Sequence, residues 1–318
     1  CILNKAYIGM NKIGIGVDIG GSHIVSCAID MSTGKPIHGT EFEEKVNSKG
    51  TKIEIFETWA QAINATIGAV DLSSILGIGF AMPGAFNYKT GVAFYEGLDK
   101  YENLYDVNVK KELPEYLSNN SLALRFMNDA SAFAAGEAWY GKAKDDYSSI
   151  SITLGTGFGS AFIENGIPIV NRPDVPLHGC FWHLPYKKGI ADDYFSTRWF
   201  VKSYEKLTGH KASGVKEVAI DAANGGESQI IFDQFGNAMG EFLLPWLIKF
   251  KPSTLVIGGN VSKAFDLFYP ALEKHLQENE IKLKVVVSEL MEESALIGSA
   301  RLLDENYWQK VKDDLPEK

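Results

Sequence analysis

Val17-Asp-Ile-Gly-Gly-Ser-His-Ile-Val-Ser-Cys-Ala-Ile-Asp30 decides how the chain is read. Apolar residues Ile13, Ile15 and Val17 set a strand pattern that stops at Asp18, crosses Gly20-Gly21-Ser22 and resumes through Ile24, Val25, Ala28 and Ile29. This predicts a hairpin, not a strand opening a helix. Paired glycines let backbone N–H groups face an anion with no Cβ in the way, and Ser22 adds a hydroxyl donor. Asp18, beside that cradle, could hold magnesium directly or through water. Taken alone, the same stretch is equally an ordinary tight turn.

A second copy changes the balance. Ser149-Ile-Ser-Ile-Thr-Leu-Gly-Thr-Gly-Phe-Gly-Ser-Ala-Phe-Ile-Glu-Asn-Gly-Ile-Pro-Ile-Val170 again reads strand, glycine turn with a hydroxyl (Thr156), strand, turn. Neither copy is a P-loop or a dinucleotide fingerprint, since both of those open a helix. Two such hairpins from duplicated domains, facing each other across a cleft, would grip the phosphates of one nucleotide. That logic resembles the actin-like ATPase and sugar-kinase superfamily. The expected fold is α/β, with two duplicated actin-like (ribonuclease H-like) domains and a nucleotide and sugar cleft between them.

The chain has 318 residues, enough for about two domains, and 45% are hydrophobic. A net charge of -9 and no dense Lys/Arg run argue against a nucleic-acid partner. The three cysteines, Cys1, Cys27 and Cys180, lie far apart, which suggests neither a disulfide framework nor a cysteine-rich zinc site. No apolar run is long enough for a membrane span, so a cytoplasmic setting is expected. Met10-Asn11-Lys12 reads as a natural start, with the preceding residues carrying no functional weight.

A helical pattern covers Lys52 to Val70, a strand Ile75 to Met82 ends at Pro83-Gly84, and a loop-rich aromatic excursion fills 86–117. A strand from Ser121 runs into Asn128-Asp129 and an Ala-rich helix; helices follow over Asp192–Leu207 and Ser228–Phe250. Strand Thr254–Ile257 then leads to Gly258-Gly259-Asn260. The expected domains are 1–118 and 119–292, with the final helix in 293–318 packing back on the first. Asp129 is the expected catalyst, a carboxylate at the carboxyl end of a strand where a helix begins. By itself, an Asn-Asp pair there is also simply a helix cap.

The ordered set of motifs resembles the ROK family of sugar kinases and sugar-responsive repressors. The matching pieces are Asp18-Ile-Gly-Gly-Ser-His, Pro83-Gly84, Asn103-Leu104, Asn128-Asp129-Ala130 with Gly136-Glu137-Ala138, Leu154-Gly-Thr-Gly-Phe-Gly-Ser, Ile257-Gly-Gly-Asn and Ala295-Leu-Ile-Gly-Ser-Ala. The resemblance implies an ATP- and magnesium-dependent kinase for a monosaccharide or its derivative. Asp129 would be general base; Gly84, Asn103, Asn128, His183 and Asp192 would bind the sugar. Gly20, Gly21, Ser22, Thr156 and Gly157 would contact the phosphates, and Gly258, Gly259 and Asn260 the nucleoside. A homodimer is also implied.

Departures from the family pattern are as informative. The family's Glu-x-Gly-His stands here as Cys180-Phe-Trp-His183, the zinc-binding cysteine cluster is missing so that no zinc is expected, and Asp192 replaces a second sugar-binding Glu. His183 and Asp192 could instead be a structural hydrogen-bond pair. The rival function is a catalytically inactive sugar-binding or sensing protein of the same fold, since Cys180 disrupts the recognition motif. A DNA-binding repressor fits poorly with a negative chain whose first hairpin starts so early.

Overall fold

The computed structural model describes residues 12–97 and 100–317. Cys1, the expected start at Met10, and Leu98 in the aromatic excursion lie outside them. The opening hairpin forms: strand Ile13–Ile19 runs antiparallel to His23–Asp30, with Asp18 opposite Val25 and Ile19 opposite Ile24. Strand Ile75–Met82 lies parallel to the first, and Leu124–Asn128 lies parallel to that. Short strands Lys35–Pro36 and Phe42–Lys45 both pair with His23–Asp30.

The second sheet repeats this plan. Strand Ser148–Leu154 is antiparallel to Phe158–Glu164, which pairs with Ile167–Pro168; Thr254–Gly258 is parallel to Ser148–Leu154 and Lys284–Val287 is parallel to it. Strand order and direction therefore agree between the two sheets from the outer hairpin strand to the last parallel strand. In such sheets, loops at the carboxyl ends of parallel strands form the ligand-facing edge. In the first sheet that edge carries Gly20–Ser22, Gly84 and Asn128; in the second it carries Gly155–Gly157 and Gly259–Asn260.

Two compact units follow from these sheets. Among the described residues, the first comprises those up to Asn128 with Leu296–Asp313 and Glu317; the second comprises Asp129–Ala295 with Asp314–Pro316. The division falls at 128/129 where the sequence reading put 118/119, because Leu124–Asn128 takes its hydrogen bonds from Ile75–Met82. Helix Lys52–Gly68 starts at a capping box, Thr51 with Glu54, and buries Ile55, Phe56, Trp59, Ile63 and Ile67. In the second unit the core is built of phenylalanines: Phe158, Phe162, Phe181, Phe195, Phe200, Phe232, Phe235, Phe242 and Phe268 are all buried. Phe181 stacks on Phe158 at 5.8 Å and meets Phe162 edge-on at 5.2 Å, which fixes the irregular 173–186 segment to the sheet.

The helices expected over 192–207 are a short helix Ala191–Tyr194 and a helix Thr197–Thr208. Two details depart from the sequence reading. Helix Val215–Ala223 was not foreseen; its apolar face, Val215, Val218 and Ala222, is only two turns long. The last helical region stops at Arg301 and restarts at Glu305, where Asp304 accepts the Tyr307 N–H at 2.7 Å as an N-cap.

Helix Glu293–Arg301 comes close enough to the first sheet that glycine is required beneath it. A Cβ on Gly16 would stand 2.0 Å from the Leu296 carbonyl oxygen, and one on Gly79 would stand 1.9 Å from that of Ser299. Because both obstacles are helix backbone, the helix itself would have to lift. Gly79→Ala is expected to destabilise the protein by about 1–3 kcal/mol or more. Gly68→Ala, exposed at the end of a helix with nothing within 4 Å, should be neutral or stabilise by up to about 1 kcal/mol. Thermal unfolding of the two variants side by side checks this; equal melting temperatures would refute the close-approach argument.

Candidate active site

In the first unit, the glycine turn is held from below by an aromatic wall. Tyr101, fully buried and at a left-handed φ of 57°, donates its hydroxyl to the Gly20 carbonyl at 2.6 Å. Burial, with the Asp18 charge as a lesser cause, raises the phenol's pKa, so it stays a protonated donor. Trp59 packs edge-on against it at 5.5 Å. Gly20 N–H bonds to the His23 carbonyl at 2.9 Å, closing the turn, while Gly21 and Ser22 are exposed. A Cβ on Gly21 would meet only the Lys100 stem, at 3.7 Å. Asp18 is half-buried at the end of its strand, beside this turn.

Tyr88 braces the sugar-side candidates of this unit. Its hydroxyl donates to the Met82 carbonyl at 3.3 Å and accepts from Asn128 Nδ2 at 3.3 Å, and it lies 4.0 Å from where a Gly84 Cβ would be. Asn103 is exposed, but its amide Nδ2 donates to the carbonyls of Gly50 at 2.8 Å and Lys49 at 3.3 Å. It pins the loop ahead of helix Lys52–Gly68, leaving its carbonyl oxygen as the group a sugar hydroxyl could use. Tyr88 and Tyr101 escaped the sequence reading because their roles rest on contacts far along the chain; the aromatic richness of 86–117 was the available signal.

In the second unit, Asp129 is the first residue of helix Asp129–Trp139 and is exposed; its Oδ1 accepts the Ala130 N–H at 2.8 Å. The carboxylate thus holds the N–H next to it in the first turn of the helix and also faces solvent. The second glycine turn is exposed at Thr156 and Gly157. Gly259, at φ 79°, passes so close to Leu154 that a Cβ would lie 2.5 Å from its carbonyl oxygen, and Gly258 would meet the Phe133 ring at 2.4 Å. Asn260 is exposed and accepts from Lys263 Nζ at 2.9 Å.

Asp192 Oδ1 accepts the Phe158 N–H of the second glycine turn at 2.7 Å and its Oδ2 makes a short ion pair with Arg198, so its bonds run to these groups and not to His183. His183 is partly buried, and burial, helped by the nearby His178, lowers its pKa, so it is a neutral imidazole at pH 7. The exposed ring of Trp182 stands edge-on to it at 5.3 Å. His178, at a left-handed φ of 58°, carries the carbonyl to which the Cys180 thiol donates at 3.4 Å. Buried Ser160 clamps this bend by donating to the Gly179 carbonyl at 3.0 Å and accepting the Phe181 N–H at 2.8 Å.

The ROK family sequence profile matches residues 14–306. This chain belongs to the ROK family. It is 27% identical to the N-acetyl-D-glucosamine kinase of Haemophilus influenzae over 285 residues, 82% of this chain and 88% of the relative. It is 23% identical to the glucokinase of Thermotoga maritima, covering 92% of this chain and 97% of that one. A ROK family glucokinase from Streptomyces griseus, solved with glucose and AMPPNP, superposes with a TM-score of 0.70 at 22% identity over 91% of this chain and 98% of that chain. The α/β fold of two actin-like units is therefore that of a ROK protein, and its named relatives are sugar kinases. No helix among the described residues is long and apolar enough to cross a membrane.

Within this ROK chain, the chemistry of Cys180 is that of a neutral thiol. Burial, reinforced by the negative charge of Asp129, pushes its pKa up to about 12. The two side chains therefore share one electrostatic neighbourhood in the second unit. At pH 8, Cys180 should react with iodoacetamide at least about 100-fold more slowly than an unperturbed thiol, because the thiolate is the nucleophile. Asp129→Asn removes one of the two causes and should speed alkylation, followed by mass spectrometry of the Cys180 peptide. An unchanged rate would separate the two groups.

Proposed function

We propose that this ROK protein is an ATP- and magnesium-dependent kinase that phosphorylates a hydroxyl of a monosaccharide or sugar derivative, with Asp129 as general base. The observation that carries the reading is the exposed Asp129 carboxylate, at the start of a helix in a unit whose sheet also presents a glycine turn. A helix N-terminus favours the ionised carboxylate, the form that accepts a proton. Phosphoryl transfer is catalysed mainly by positioning and charge stabilisation, so one base and well-held phosphates suffice.

The residues fit a polyphosphate. Gly21, and Gly155 with nothing within 4 Å of a built Cβ, leave backbone open for close approach, and Ser22 and Thr156 add exposed hydroxyls. Gly258, Gly259 and Asn260 would lie toward the nucleoside. Magnesium would supply neutralisation of the phosphate charge, and Asp18 would hold it, a single carboxylate being what this ion needs when phosphates and waters complete its shell. On the sugar side, Asn128, the Asn103 carbonyl, the Gly84 loop and the neutral His183 would orient the hydroxyls, and Asp129 would draw the proton from the one that attacks.

Asp129→Asn is expected to lower kcat by about 10²–10⁴ while nucleotide binding survives. A coupled ADP-release assay with direct nucleotide titration checks it. Near-normal turnover would leave Asp129 as a helix cap only. Sugar binding without any ADP release by the wild-type protein would favour the inactive sensor instead.

Specificity follows from Cys180. An ionised Glu accepts hydrogen bonds from adjacent sugar hydroxyls; a neutral thiol is a weak partner, and an unpaired buried polar group costs about 1–3 kcal/mol, or roughly five- to two-hundred-fold in binding. Asp192, His178 or Glu96 moving in to replace the missing carboxylate would let glucose bind, but Asp192 already holds the Phe158 N–H and the Arg198 guanidinium. The preferred substrate is therefore a sugar that lacks or reorients a hydroxyl there, such as a furanose, or a derivative with a less polar substituent that could lie on the exposed face of Trp182. A relative that acts on N-acetyl-D-glucosamine supports the second choice. Measuring kcat/KM over hexoses, amino sugars, N-acetylated sugars and furanoses should place glucose below the best substrate. Glucose leading by a wide margin would overturn the specificity argument and leave the kinase reading standing.

A further inference from the structure

The segment 192–198 is tied to the second glycine turn at almost every residue of that turn. Thr197 N–H donates to the Gly155 carbonyl at 2.8 Å, Arg198 Nη1 donates to the Thr156 carbonyl at 2.7 Å, and Asp192 Oδ1 accepts the Phe158 N–H at 2.7 Å. Asp192 Oδ2 closes the ring through its short ion pair with Arg198 Nη2. The remaining residue, Gly157, passes so near that a Cβ there would stand 3.1 Å from Asp192 Oδ1. A sugar hydroxyl reaching for this carboxylate would have to share it with a backbone N–H and a guanidinium that already fix its position.

From these contacts we infer that Asp192 and Arg198 form a brace that sets the Gly155–Phe158 turn for the triphosphate, so that in this chain Asp192 acts on nucleotide recognition and not on the sugar. The Asp192 side chain is 21% exposed and that of Arg198 is 49% exposed. The partly covered carboxylate therefore holds the turn from behind while the guanidinium reaches solvent at its lip. A guanidinium carries five N–H donors in a rigid fork suited to phosphate oxygens, and the two bonds given above use only part of it. Arg198 can hold the Thr156 carbonyl and Asp192 and still offer N–H donors and positive charge to an incoming phosphate. Asp192 limits that charge and fixes its direction. The sequence showed no sign of this, since Arg198 lies in no glycine motif and reaches the turn only because the chain folds back after the 173–190 segment.

This inference rests on the kinase reading, and the test separates the two. Nucleotide affinity is measured without sugar, by titration of AMPPNP with magnesium, and KM is measured separately for ATP and for the best sugar of the panel. Arg198→Gln and Asp192→Asn should each raise the AMPPNP Kd and the ATP KM by about tenfold or more, the worth of a hydrogen bond to a charged group. The sugar KM should stay within about twofold. Arg198→Lys, which keeps the charge but loses the fork, should recover part of the loss; a residue that only supported the fold would not show this split. Thermal melting confirms that the variants are folded, and Arg198→Lys carries the test if Arg198→Gln is not. Asp192→Asn raising the sugar KM with AMPPNP affinity unchanged would overturn the brace and return Asp192 to the sugar. A wild-type protein that binds no AMPPNP and releases no ADP would overturn the kinase reading itself.

Discussion

The structure depends on how closely helix Glu293–Arg301 approaches the strands it covers. Sheet and helix normally keep a layer of side chains between them, but here the carbonyl oxygens of Leu296 and Ser299 lie only 2.0 and 1.9 Å from where Cβ atoms of Gly16 and Gly79 would be. In the second unit, the Ser294 carbonyl makes the same demand on Gly136, at 2.0 Å. A helix seated this deeply is located by backbone sterics, which tolerate little, as well as by hydrophobic burial, which tolerates repacking. The strand ends that carry Asp18 and the Pro83-Gly84 loop take their positions from that seating.

On this frame, the same device is made twice. Each sheet runs one antiparallel pair into two parallel strands, which delivers three strand ends to one edge and leaves the loops there to bear the chemistry. The loops are braced differently. The first turn leans on the buried phenol of Tyr101, a neutral hydrogen bond within an aromatic cluster. The second is fastened by an exposed ion pair. A buried phenol holds one carbonyl and excludes water; a half-exposed guanidinium holds one and still has donors to offer.

Cys180 is a neutral group in the electrostatic neighbourhood of Asp129. A carboxylate at position 180 would place a second negative charge near Asp129 and would itself accept hydroxyl protons. The thiol does neither, because burial keeps it protonated. The surroundings of Cys180 are built rather than vacated: Ser160 clamps the bend, Phe181 is locked among rings, and Trp182 is turned outward.

Some of this was determined by the sequence alone. Period-two apolar runs interrupted by Gly-Gly-Ser and Gly-Thr-Gly specify hairpins because the strand pattern stops at the small residues and resumes directly after them, and the strand ending at Asn128-Asp129 with an Ala-rich helix behind it specifies where a carboxylate would sit. Local rules of this kind need only neighbours in the chain. The domain boundary moved because strand pairing, a contact between distant segments, decides which sheet Leu124–Asn128 joins. For the same reason Asp192, Arg198, Tyr88 and Tyr101 could not be assigned in advance: each bonds to a residue tens of positions away, and a side chain's partners at that distance are fixed by packing. Residue type told what Asp192 could do, accept hydrogen bonds; only the tertiary structure decided from whom, because the 158 N–H and the Arg198 guanidinium reach it first.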